Sequence, residues 1–155
     1  MLMCTVLLLA LAIAGPSQQT DRKGSSGSPA PRVFVFTDTK STPPTEEEQG
    51  RLDSVRDVRV ELGKKAGLVI VQSAEEATVL VEVIARERRE AGGGFGGASV
   101  TPLGDTMLRL HLKSGEHETD VKGVSPGTWG RAAKDAVDKA FKWIVRIAEQ
   151  PGPPK

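Results

Sequence analysis

Apolar residues recur along this chain in two rhythms, one of two residues and one of three to four. The longest run of period two is Thr78–Arg86, rich in β-branched Val79, Val81, Val83 and Ile84, and it reads as a strand. Strict alternation puts Val79, Val81, Val83 and Ala85 on one face and Leu80, Glu82, Ile84 and Arg86 on the other. A short acidic turn, Ser73–Ala77, leads into it. Upstream, Val33-Phe34-Val35-Phe36-Thr37 is an unbroken apolar run of strand length, expected to be covered on both faces or nearly so. Leu68–Gln72 is a second such run. Between them Thr45-Glu46-Glu47-Glu48 spells a capping box, and Leu52, Val55, Val58, Leu62 and Ala66 follow at helical spacing. Gly67 is expected to stop this helix after Lys64 and Lys65. A strand-helix-strand passage with so long a crossover favours parallel strands and a right-handed connection.

Downstream, Thr106–Lys113 and Glu116–Val124 predict a hairpin across Ser114-Gly115. That turn sets Lys113 opposite Glu116, His111 opposite Glu118 and Arg109 opposite Asp120 on one face. Leu112–His117, Leu110–Thr119 and Leu108–Val121 then pair on the other. After Ser125-Pro126-Gly127 a helix runs from Trp129 to Glu149. Its stripe is Trp129, Ala133, Ala136, Val137, Ala140, Trp143, Ile144 and Ile147, so both tryptophans are expected against the core. The fold class is α/β (α+β): a mixed five-stranded sheet in the order β-α-β-β-β-β-α, with both helices on one face.

The flanks read differently. Residues 1–14 hold an apolar run, Val6–Ala14, ending in Ala12-Ile13-Ala14, a small-x-small pattern before Gly15-Pro16-Ser17. This is the pattern of a signal peptide, although Met1–Thr5 carries no Lys or Arg. The run is about half the ~20 residues that span a bilayer, so stable membrane insertion is not expected. Residues 15–31 have the composition of a flexible linker, residues 32–149 form the single folded domain, and the Pro-rich tail 150–155 cannot extend the helix. The lone cysteine, Cys4, lies within the leader, so the exported chain has no thiol for a disulfide, a metal or a nucleophile. A net charge of +1 and a pI near 7.9 give no global field for nucleic acid. Four Phe, two Trp and no Tyr are too few for a stacking platform.

Candidate chemistry is sparse. His111 and His117 fall on opposite faces of the hairpin and cannot share a metal ion. Glu82, set among Val81, Val83 and Ile84, could serve a hydrolase as an acid or base, but it lacks a second group for two-step proton work. Arg86, Arg88 and Arg89 could hold an anion at the strand end, next to the glycine-rich stretch Gly92–Gly97. Gly92, Gly94 and Gly97 match G-x-G-x-x-G, yet no helix opens after them to receive a phosphate. No serine sits in G-x-S-x-G. The chain is therefore expected to be no enzyme and to need no cofactor or metal.

The element order, together with Ala74-Glu75-Glu76-Ala77-Thr78-Val79-Leu80-Val81-Glu82-Val83 and the closing helix that opens Trp129-Gly130-Arg131-Ala132-Ala133-Lys134-Asp135-Ala136, resembles the amino-terminal domain of TolB and its relatives. These include periplasmic penicillin-binding-protein activator lipoproteins and curli-secretion modules. The activator lipoproteins carry an acylated cysteine after the signal, where this sequence has none. The resemblance implies a non-catalytic cell-envelope module, periplasmic or secreted, that docks to a protein partner. The surface expected to carry it is the face opposite the helices: Leu80, Glu82, Ile84, Arg109, His111 and Glu118. The alternative is a small-ligand or anion carrier built on the glycine-rich stretch with Arg86, Arg88 and Arg89.

Overall fold

The computed structural model describes residues 29–89 and 104–149. The expected leader (1–14), most of the expected linker (15–31), the glycine-rich stretch Gly92–Gly97 and the expected tail (150–155) lie outside the described residues. Five strands and two helices follow the expected order: β1 (Arg32–Phe36), α1 (Glu46–Gly63), β2 (Val69–Ile70), β3 (Val79–Arg88), β4 (Asp105–Ser114), β5 (His117–Pro126) and α2 (Trp129–Glu149). A single 3-10 turn, Ala74–Glu76, leads into β3. The sheet runs β2-β1-β3-β4-β5, parallel across the first three strands and antiparallel across the last three.

Both helices pack on the same face. The residues beneath them alternate as the pleat requires: Val33 and Val35 from β1, Val79, Val81 and Val83 from β3, and Leu108, Leu110 and Leu112 from β4 are all buried. Val58 and Leu62 of α1 and Ala132, Ala133, Ala136, Val137, Ala140, Trp143 and Ile144 of α2 complete the core. Leu52, expected on the buried stripe of α1, is 38% exposed. Ser54 takes a buried place instead, its hydroxyl donating to the Gly50 carbonyl at 3.2 Å. The helix also ends at Gly63, before Lys64 and Lys65, and Gly67 (φ 84°) shapes the following turn instead of stopping the helix. Trp143 is buried, but Trp129 is only half-buried, at the rim of the core.

The start of α1 is fixed as the capping box requires. Thr45 Oγ1 accepts from the Glu48 amide at 3.2 Å, and Glu48 Oε2 accepts from the Thr45 amide at 2.8 Å. Glu48 Oε1 also accepts from the Lys40 amide at 2.7 Å, which ties down the incoming loop. Glu48 is 6% exposed. The Thr45 amide first, and the Lys40 amide next, pull its carboxyl down to about 2.

β5 meets α2 through a glycine. Gly123 is opposite Leu108 on the helix-covered face. A Cβ there would overlap the Ala132 carbonyl oxygen and stand 2.7 Å from Ala136 Cβ. The helix backbone therefore rests almost on the strand backbone, and only the pairing of Gly123 with small alanines allows it.

Two outcomes follow. Gly123→Ala should destabilise the domain by about 3 kcal/mol or more, because backbone, not a movable side chain, meets the new methyl; the urea midpoint should fall with an unchanged m-value. Glu48 has a folded pKa below its ordinary 4.5, so the stability it supplies is full above that value and is lost as pH falls toward about 2. Glu48→Gln should flatten the decline of the melting temperature across that window, as read by thermal scans at stepped pH.

Candidate functional site: the open face of the sheet

The face away from the helices carries Phe34 and Phe36 of β1, Leu80 and Glu82 of β3, Arg109, His111 and Lys113 of β4, and Glu118, Asp120 and Lys122 of β5. Phe34, Phe36, Leu80 and Ile84 are half-buried. The Phe34 and Phe36 rings stack at 5.6 Å. Arg59 reaches round the sheet edge from α1, its guanidinium 5.8 Å from the Phe34 ring. Its Nη2 donates to the Val35 carbonyl at 3.0 Å. That carbonyl points toward the side where β2, only two residues long, has already ended. β1 is thus not sandwiched between layers; arginine and the ring pair shield its second face.

The charged ladder differs from its expected register. The turn residues are Gly115 and Glu116, not Ser114 and Gly115, because Gly115 (φ 58°) occupies the first central position, where a two-residue hairpin accepts a positive φ. Every partner moves by two residues, so each side chain keeps its face. Lys113 now faces Glu118, His111 faces Asp120, and Arg109 faces Lys122 instead of Asp120. The His111 Nδ1–H donates to Asp120 Oδ1 at 2.7 Å, with Glu118 Oε2 4.0 Å from Nε2. Lys113 Nζ bonds Glu118 and is the main cause holding that carboxyl below the ordinary carboxylate range. Glu82 stands between Phe36 and His111 in register and has no ion-pair partner among the described residues; neither Arg109 nor Arg86 pairs with it. His117 sits opposite Ser114, on the other face from His111. Among the described residues, no cluster of three or more His, Cys, Asp or Glu side chains could hold a metal ion.

One expectation fails for a definite reason. Val83 pairs with Leu110 and Ala85 with Arg109, so Ile84 is an extra residue, a β-bulge. Beyond it the alternation inverts. Ala85 shares the open face with Arg109, and Arg86 pairs with Leu108 on the helix side. There the Arg86 guanidinium lies 4.2 Å from the Trp129 ring, donates from Nη1 to the Gly50 carbonyl at 2.6 Å, and stands 3.6 Å from Asp53. Arg86 thus joins α1, β3 and α2; Arg88, opposite Thr106, follows it on the same face but is exposed, as is Arg89. Strict alternation could not reveal this; only the ladder with β4 shows where the extra residue goes. With Trp129, Arg88, Glu46, Glu47, Gln49 and Asp53 it lines an open groove of about 860 Å³.

Arg86→Ala should cost about 2–4 kcal/mol, from the lost stacking and a charged hydrogen bond. Arg86→Lys should recover only part of it, because an ammonium has no planar face to lay on the indole. Equilibrium unfolding of the two variants measures the difference.

No family model matches this chain, and no curated protein sequence does; a TolB-type assignment gains no support there. Some solved structures resemble it at low similarity. The PelC dodecamer from Paraburkholderia phytofirmans has 14% identity and a TM-score of 0.45 over 78% of this chain and 91% of that one. An uncharacterised lipoprotein B from Nitrosomonas europaea has 12% identity and a TM-score of 0.40, over 82% and 88%. The hypothetical protein CT253 from Chlamydia trachomatis has 10% identity and a TM-score of 0.36, over 76% and 96%.

Proposed function

We propose that this chain is a non-catalytic, exported module of the cell envelope that docks a protein partner on the open face of its sheet. One observation carries the reading: both helices cover the same face, leaving half-buried Phe34, Phe36, Leu80 and Ile84 beside an ordered charge ladder. Apolar residues ringed by charge suit recognition, with the apolar part supplying affinity and the charges fixing orientation. His111, Lys113, Glu118 and Asp120 are engaged with one another, which holds them in fixed positions for contact. Export rests on the leader at residues 1–14, and no helix among the described residues is long and apolar enough to cross a membrane.

The test pairs Leu80→Asp with Glu82→Lys. Both side chains lie on the open face, so the melting temperature should move little. A partner captured from envelope extract by the original chain, then purified and titrated, should bind the double variant at least about tenfold more weakly. Equal affinity for both proteins would remove this face from the account.

A further inference from the structure

β5 closes the sheet with ten residues and, among the described residues, no strand lies beyond it. Its odd-numbered residues turn their backbone groups toward β4. Asp105, odd in β4, gives its carbonyl to Arg89 on the other side, so the even residues of β4 face β5, and in register these meet odd residues. The even residues of β5 therefore point outward. Two bonds show it directly: the Val124 amide donates to Asp135 Oδ2 at 2.9 Å, and Lys139 Nζ donates to the Lys122 carbonyl at 2.7 Å. Side chains of α2 thus close the far end of this edge. Among the described residues nothing occupies the outward groups of Glu118 and Asp120 or the Lys122 amide. An open edge is a template for another strand.

The side chains select which strand. On an edge, charge normally discourages pairing, but here the sequence of signs along Glu118, Asp120 and Lys122 changes from negative to positive. Laid antiparallel against a second copy about a two-fold axis at Val121, Asp120 meets the second copy's Lys122, and Lys122 meets its Asp120. The neighbouring registers are worse. An axis at Asp120 keeps two Glu118–Lys122 pairs but sets the Asp120 carboxylate against itself, and an axis at Thr119 sets Glu118 against Asp120. We propose that the β5 edge is a self-association surface, on which two copies pair antiparallel through backbone bonds between Asp120 and Lys122 and two reciprocal ion pairs. Lys139 must leave the Lys122 carbonyl and keeps Asp135, 2.8 Å away, as its partner. So narrow a contact belongs with transient, concentration-dependent assemblies.

The test is sedimentation velocity of the full chain over a concentration series, with thermal melts of each variant. The original chain should form a reversible dimer. Asp120→Lys and Lys122→Asp should each weaken it by about tenfold or more, since each replaces both attractions with repulsions. An equimolar mixture of the two variants should recover a dimer, because one chain then carries two lysines at these positions and the other two aspartates. Recovery on mixing also shows that both variants fold. A chain that stays monomeric throughout, a dimer indifferent to both substitutions, or no recovery on mixing would overturn the proposal.

Discussion

The contact of Gly123 with Ala132 and Ala136 sets the depth at which everything else packs. Once the α2 backbone rests on the β5 backbone, the remaining side chains of that helix are delivered at fixed heights over the sheet. Val137, Ala140, Trp143 and Ile144 join the same core as the leucines of β4. Asp135 and Lys139 come within reach of the β5 edge for the same reason, and Lys65 after α1 can meet Asp138. A small residue at each of three places, spaced by one helical turn on the α2 side, makes this approach possible.

The second constraint is the bulge at Ile84. One inserted residue transfers Arg86 from the open face to the helix face, where Trp129, Gly50 and Asp53 receive it. A guanidinium in this position joins three elements: α1 through Gly50 and Asp53, β3 through its own backbone, and α2 through Trp129. Gly50 is part of the arrangement: a Cβ there would stand 3.3 Å from the Arg86 side chain. The groove around Arg86 is therefore the edge of a structural joint, while the open face keeps its partly covered apolar residues and its ladder.

Much of the fold was legible because binary patterning is a local property that the core reads directly. The alternation of Val79, Val81 and Val83, the Leu108-Leu110-Leu112 series and the long stripe of α2 each identify their buried face without reference to any other element. The capping box at Thr45 and Glu48 was equally plain, since four consecutive residues contain both partners. The open face was legible in outline: His111 and Glu118 do share it with Glu82 and Leu80. Less was visible where a position depends on a neighbour distant in sequence. The hairpin partners were displaced by two residues, because the choice between Ser114-Gly115 and Gly115-Glu116 turns on which glycine torsion the strands' twist accepts. Leu52 had the right spacing but lies exposed, since α1 presents Ser54, Val58 and Leu62 to the sheet.

By itself, then, the sequence determined which residues are apolar at which period, and through that the elements, their order and the buried side of each. Tertiary structure decided the rest: that β2 is a two-residue edge, that Arg59 completes what β2 leaves open, that Ile84 is the extra residue of β3, and that Gly123 is a point of backbone contact. Each of these is a relation between segments far apart in the chain. A glycine or an arginine carries no mark of what will stand across from it, so its role exists only once packing has brought the two surfaces together.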